Sequence, residues 1–317
     1  MSTAAETQDG FAAIAGPCHS PVAEALSPLI TAIEARHGTA VSGIIFYGSC
    51  LRSGRIHDGL VDLYVVVDNY RAAHDRPISA LANRLVPPNV YYLEADGAQG
   101  LLRCKYAVID EAELARGCTT ALLSSIWGRF AQPVAIVTTR DADTRTRFRA
   151  HLGRAVATLL DECLPALSDT ARAPAEAFAE ALALSYSGEL RTEDSRRSTT
   201  VIDTDRAEYA RRLHAARGHL AFDTEIDSTG RFRCYPSMAQ KRRAARRWRI
   251  RRPLGRALSV ARLSKACFTF GNAVDYGAWK LARHTGVEIE VTDRLRRHPL
   301  IYGWPVLWRL YRRGLLR

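Results

Sequence analysis

Ile44–Asp68 reads IIFYGSCLRSGRIHDGLVDLYVVVD, and the order of residue types in it decides the fold. An apolar run ends in Tyr47-Gly48-Ser49, a polar turn follows, and a second apolar run opens around Asp62. Both runs are rich in β-branched residues, so Val41–Tyr47 and Val61–Val67 are expected as buried strands. Gly48 lets backbone N–H groups approach a phosphate with no Cβ in the way. Ser49 offers a hydroxyl donor to a phosphate oxygen, and Asp62 is a hard oxygen ligand of the kind Mg²⁺ takes. The same pattern also suits a plain strand-turn-strand pair with a surface aspartate.

That order resembles the way polymerase-β-like nucleotidyltransferases build a site for a nucleoside triphosphate and Mg²⁺. The superfamily usually places a second carboxylate two residues after the first, because positions i and i+2 share a strand face. Here that position is Tyr64. Asp68 has the right parity, but about 20 Å of straight strand separates it from Asp62. The remaining candidates for a second metal ligand are Glu94, Asp96 and Asp110, on or beside later strands.

At 317 residues, 47% of them hydrophobic, the chain can bury a sizeable core and form two domains, or one with an appendage. Its seven cysteines form no CxxC pair and no zinc-spaced cluster, which suits reduced thiols in a cytosol. No apolar run reaches the length of a spanning helix. The opening MSTAAETQDGFAAIAG lacks the basic residues of a signal or transit peptide. Net charge is +12, and it is concentrated. From Ser228 to Val274 there is no acidic residue, and Lys241–Arg256 is more than half basic. A second basic block holds Arg294, Arg296, Arg297, Arg309, Arg312, Arg313 and Arg317. Such asymmetry implies a polyanionic partner, either nucleic acid or an anionic membrane surface, set against a merely solvated face.

Along the chain, residues 1–20 are expected as a mobile leader and 21–140 as a core of mixed sheet with helices. Within that core, helices are expected over Val22–His37, His74–Leu85 and Glu111–Phe130. Further strands are expected at Val90–Glu94, Leu101–Ile109 and Val134–Thr138. Residues 141–240 read as an α-rich second domain, and 241–317 as a basic helical region with an amphipathic tail. The fold class is therefore α+β.

Lys105 sits inside an apolar strand, where a lysine implies an anion in reach or an edge from which it can snorkel. Leu184–Arg191 (LSYSGELR) places Gly188 at a helix break flanked by Tyr186 and Arg191, and Gly128–Val134 is a helix-to-strand connection. The tail His298–Arg317 interleaves Tyr302, Trp304, Trp308 and Tyr311 with leucine and arginine. That mixture suits a lipid interface, stacking on single-stranded nucleic acid, or a helix docked on the core.

Taken together, these strings resemble the mitochondrial-type phosphatidate cytidylyltransferases, the translocator assembly and maintenance family, in order from Gly43 to Arg283. The family's YGSG turn is Tyr47-Gly48-Ser49-Cys50, without the last glycine, and its (V/I)DF strand is Val61-Asp62-Leu63. Its VYYN is Val90-Tyr91-Tyr92-Leu93, and its KYGV is Lys105-Tyr106-Ala107-Val108. GRLQKPV is matched by Gly128–Val134 with Gln132 for Lys, LSYSGD.R by Leu184–Arg191, and KGIFTAG by Lys265–Gly271.

The resemblance implies a nucleotidyltransferase core, a winged-helix-like second domain, and CTP and phosphatidate as substrates. It gives Asp62 the Mg²⁺, and Tyr47, Gly48, Ser49 and Lys105 the triphosphate. Arg129, Tyr186, Ser187 and Arg191 would serve substrate phosphate or the cleft. It also implies peripheral membrane attachment with no specific nucleic-acid partner, and the absence of a presequence turns the expectation to a bacterial relative, cytoplasmic and attached to the inner face of the plasma membrane. The rival expectation is a basic nucleic-acid-binding protein on a nucleotidyltransferase-like core, or transfer to another phosphate acceptor.

Overall fold

The structure, a computed structural model, describes residues 2–74, 76–188, 205–269 and 291–297, with positions 302, 305 and 308. Its fold is α+β, built on a five-stranded mixed sheet in the order β3-β4-β2-β1-β5. The strands are β1 (Val41–Tyr47), β2 (Val61–Val67), β3 (Asn89–Gly97), β4 (Gly100–Asp110) and β5 (Ala135–Thr139). β1 runs antiparallel to β2 and β5, and β3 antiparallel to β4. β2 and β4 are parallel. A parallel pair needs a crossover, which α4 (Tyr70–Ala73), α5 (Pro77–Leu85) and β3 supply.

Strand alternation sends every second side chain to each face. Ile44, Phe46, Leu63, Val65 and Val108 pack on α2 (Ser27–His37) through Leu29 and Ile33. Ile45, Tyr64, Val66, Ala107 and Ile109 form the other face, shared with Phe148, Leu152 and Val156 of α8 (Ala142–Cys163). Around α8 stand α6 (Glu111–Thr119), α7 (Trp127–Phe130), α9 (Pro174–Tyr186) and α10 (Arg206–Ala216). The expected helix over Glu111–Phe130 is thus two short helices, and the mixed stretch after α10 holds a hairpin, β6 (Asp223–Ile226) and β7 (Phe232–Tyr235).

Residues 1–20 do not form a free leader. Ser2–Ala15 is a helix, α1, with Ala12, Ile14 and Ala15 buried. It crosses α8 at Gly153, where a Cβ would lie 1.8 Å from the Phe11 carbonyl oxygen. Arginines from two other helices satisfy carbonyls at its C-terminal end: Arg149 donates to Gly16 at 3.1 Å, Arg211 to Ile14 at 3.1 Å and Arg212 to Ala15 at 2.9 Å. The boundary expected at residue 140 does not separate two cores either, because α8 covers the sheet with the same apolar cluster that receives α1 and α9.

The basic stretch is part of α11 (Met238–Thr269), and some of its charge is used internally. Arg251, with no exposed surface, lies 5.1 and 4.4 Å from the ring centres of Trp127 and Trp248, which meet edge to face, and pairs with Glu162 at 2.7 Å. Arg247 also pairs with Glu162, and Lys241 with Asp169. Arg242, Arg243, Arg246, Arg249, Arg252 and Arg256 remain exposed. Most of the tail expected to bind membrane, 298–317, lies outside the described residues; Tyr302 and Trp308 within it are exposed.

Candidate active site

Residues paired across a sheet point to the same side. Tyr47 pairs with Asp62, Asp62 with Lys105, and Lys105 with Tyr92, so one row crosses β1, β2, β4 and β3 on the α8 face. Asp62 and Lys105 form an ion pair, with the ammonium 3.0 Å from Oδ1 and side-chain exposures of 21% and 36%. The isolated lysine in an apolar strand thus faces a carboxylate, which explains why an inner strand tolerates it.

The turn after β1 is set by Gly48, whose φ of 91° and ψ of −164° fall in a region essentially restricted to glycine. A Cβ there would also stand 2.6 Å from Asp62 Oδ2. The backbone therefore passes directly beside the carboxylate. Ser49 follows as the exposed first residue of α3 (Ser49–Ser53).

Tyr64 occupies the position where the superfamily pattern has its second carboxylate. Its hydroxyl accepts a 2.7 Å hydrogen bond from Arg129 Nη1. The Arg129 guanidinium stands 5.4 Å from the ring centre of Tyr47 and 5.8 Å from that of Tyr64. Burial pushes the Tyr47 phenol well above its usual range, with Arg129 opposing the shift, so it stays protonated near neutral pH. Two cations and one carboxylate thus share one end of the sheet face, an arrangement that attracts polyanions such as phosphates.

Arg129 is placed by packing that its own stretch of sequence does not reveal. Gly128 sits against Ser185, whose Oγ would lie 2.9 Å from a Cβ there, and Ser124 Oγ donates to the Ser185 carbonyl at 2.8 Å. These contacts bring Gly128–Val134 and the end of α9 together, with Tyr186 next to Ser185 and the Ser187 hydroxyl bonded to the Leu184 carbonyl at 2.7 Å. Gly188 in turn abuts Gly255 of α11. Gln132, buried, points its amide at the carbonyls of Gly128 and Arg129, both at 3.4 Å. Arg191 lies outside the described residues. Tyr64 and Tyr92 were the site neighbours missed by sequence reasoning; the alternation of β2 and the pairing of β3 with β4 were the signals that could have found them.

The candidates for a second metal ligand do not reach Asp62. Asp68 closes the far end of β2, accepting from Ser42 at 2.8 Å and from Arg140 at 2.6 Å, and the Arg140 hydrogen bond holds its carboxyl below the usual range. Asp110 caps α6 by accepting from the Glu113 N–H at 2.7 Å. Glu94 shares the face but lies two strands away, roughly 10 Å at ordinary strand spacing, and is held by Arg103 and Tyr92 at 3.1 and 2.5 Å. Asp96 lies still further along β3, opposite Leu101. Among the described residues no group of three or more histidine, cysteine or acidic side chains could hold a metal. Mg²⁺ is usually held by one or two carboxylates together with substrate phosphates, so Asp62 fits an ion that arrives on a triphosphate and not a resident metal centre. A shallow cavity of about 580 Å³ lined by Glu34, Ser42, Asp68 and Arg140 opens at the other end of β1 and contains none of this row.

No family model matches the chain, and no curated protein matches it. Among solved structures, a nucleotidyltransferase-like protein from Exiguobacterium sibiricum is similar at 14% identity over 93% of each chain, with a TM-score of 0.28.

Proposed function

We propose that this chain is a nucleotidyltransferase, joining the nucleoside monophosphate part of a triphosphate to a phosphate-bearing acceptor. The observation that carries the reading is the passage of Gly48 beside Asp62, with Lys105 and Arg129 at the same end of the sheet face. The family resemblance narrows the reading to CTP and phosphatidate as substrates and to CDP-diacylglycerol and pyrophosphate as products, made by a protein attached peripherally to an anionic membrane.

In this reaction an oxygen of the acceptor phosphate attacks the α-phosphorus of the triphosphate in line. A new P–O bond forms, the bond from the α-phosphorus to the bridging oxygen breaks, and pyrophosphate leaves with the electron pair. A phosphate monoester has its second pKa near 6, so it is largely ionised at pH 7 and needs no general base. Lys105 and Arg129 neutralise phosphate charge that would otherwise repel the incoming acceptor. Tyr64 fixes the direction of Arg129 through its hydroxyl. When bound, Mg²⁺ supplies charge neutralisation at the leaving pyrophosphate. Asp62 is the residue that would hold it, giving up its pairing with Lys105 and leaving that ammonium for a phosphate oxygen.

The test is incubation of the purified full-length chain with labelled CTP, Mg²⁺ and phosphatidate, followed by chloroform extraction. Label in the organic phase is the expected result. Label on RNA ends, with none in lipid, would replace phosphatidate by nucleic acid as the acceptor. No transfer from any nucleoside triphosphate to either acceptor would end the nucleotidyltransferase reading.

A further inference from the structure

Helix α5 is docked with its polar side inward. Asn83 is fully buried, while Ile78, Leu81 and Leu85 are 74%, 55% and 71% exposed. Asn83 Nδ2 donates to the Val108 carbonyl at 3.0 Å, its Oδ1 accepts from the Asn89 N–H, and Asn89 Nδ2 donates to the Ser79 carbonyl at 3.0 Å. These bonds fasten the helix to β3 and β4 through amides. The three aliphatic side chains, spaced i, i+3 and i+7, form one outward stripe. Isolated exposed leucines are ordinary, but a whole apolar helix face turned to solvent marks a contact surface.

The charge around the stripe selects the partner. From Arg76 to Leu93 the chain has no acidic residue, and both Arg76 and Arg84 are exposed. Just beyond Leu85, the Pro87 carbonyl accepts a 2.8 Å hydrogen bond from Arg262, which brings basic helix α11 to the same edge. Arg252, Arg256 and Val260 on that helix are exposed. The edge strand that α5 grips at Asn89 also carries Tyr92, three residues or about 10 Å further on.

We propose that the outward face of α5, rimmed by Arg76 and Arg84 and continued by the basic flank of α11, is a surface by which this protein lies on an anionic bilayer. Aliphatic side chains enter the interface while arginines contact lipid phosphates, the pairing of forces that holds amphipathic helices on membranes. The inference deepens the proposed function and rests on it only for the acceptor being a lipid. The docked face would bring edge strand β3, at which the Asp62 row ends in Tyr92, to the bilayer, with the row itself on the opposite face of the sheet from α5.

The full-length chain with Leu81→Cys and Cys267→Ser, labelled by an environment-sensitive fluorophore, gives the direct test, since the other six native cysteines are buried. Addition of phosphatidylcholine vesicles containing phosphatidylglycerol should shift its emission to the blue, and salt should reverse the shift. Pure phosphatidylcholine vesicles should leave it unmoved. The unlabelled variant Ile78→Ser, Leu81→Ser, Leu85→Ser should co-sediment with the anionic vesicles at least tenfold less well, with unchanged thermal stability and unchanged turnover of a short-chain soluble acceptor. A blue emission present before vesicles are added would overturn the proposal: if it survives dilution, the chain's own C-terminal segment covers the face, and if dilution abolishes it, a second copy does. Unchanged sedimentation of the triple variant would also overturn it, placing membrane contact elsewhere. Failure of the wild type to turn over any acceptor would reject the nucleotidyltransferase reading and leave the vesicle result standing.

Discussion

The ammonium of Lys105 stands 3.0 Å from Oδ1 of Asp62, across the parallel pairing of β4 with β2. In the sequence these residues are separated by two helices and an edge strand. In the proposed reaction, a cation taken up by Asp62 would free that ammonium for a phosphate oxygen.

Asp62→Asn should remove turnover while leaving the fold intact, because the amide keeps the shape and loses the charge. A loss well beyond tenfold in kcat is expected, tenfold being about 1.4 kcal/mol of barrier. Retention of more than a tenth of wild-type activity, with an unaltered circular dichroism spectrum, would take Asp62 out of the site.

Lys105→Met and Arg129→Gln should each lower kcat/KM by tenfold or more, about 1.4 kcal/mol of transition-state stabilisation. Arg129→Gln removes the hydrogen bond to Tyr64, whereas Tyr64→Phe leaves the guanidinium in place but undirected. Tyr64→Phe should therefore cost less than Arg129→Gln. The reverse order in steady-state kinetics would show that Tyr64 acts for itself and not through Arg129.

Gly48→Ala meets two obstacles at once, a backbone conformation reserved for glycine and a Cβ 2.6 Å from Asp62 Oδ2. The strain alone costs about 1–3 kcal/mol. Chemical denaturation should show that loss, and activity should fall further than stability explains, because the carboxylate must move. Normal activity in Gly48→Ala would mean that the turn does not abut the site.

Gly153→Ala places a methyl group against the Phe11 carbonyl, so α1 must shift or detach. A loss of about 1–3 kcal/mol is expected, the usual cost of overpacking a tight contact. Limited proteolysis should then release the N-terminal residues faster than in the wild type. Identical protease sensitivity would return residues 1–15 to the status of an unattached leader.

Asp161 on α8 carries a carboxyl that burial raises from 3.8 to about 6, against the opposing hydrogen bond from the Ala221 N–H. The folded state therefore binds its proton more tightly than the unfolded state, and this group's contribution to stability falls as pH rises from 3.8 to about 6. Above that window the charged form opposes folding by about 1–2 kcal/mol, a figure reduced for its partial exposure. Asp161→Asn keeps an oxygen for Ala221 and should raise thermal stability at pH 7 to 8 but not below pH 4. Equal effects at both pH values would show that the residue acts by shape alone.

The local sequence determined the two strands around Gly48, the face on which Asp62 points, and the basic character of α11. Each follows from residue type and spacing within a few positions: β-branched runs, a period of two, and a density of arginine. The tertiary structure decided what stands around Asp62. Lys105 reaches it through strand register, and Arg129 through the fit of Gly128 against Ser185 and the hydroxyl of Tyr64. It also drew Asp68 to Arg140 and Asp110 to a helix cap, removing both as metal ligands. It turned a supposed leader into a core helix whose terminal carbonyls meet three arginines. Such pairings depend on which distant surfaces bury each other, and a carboxylate in a sequence carries no mark of the cation that will neutralise it.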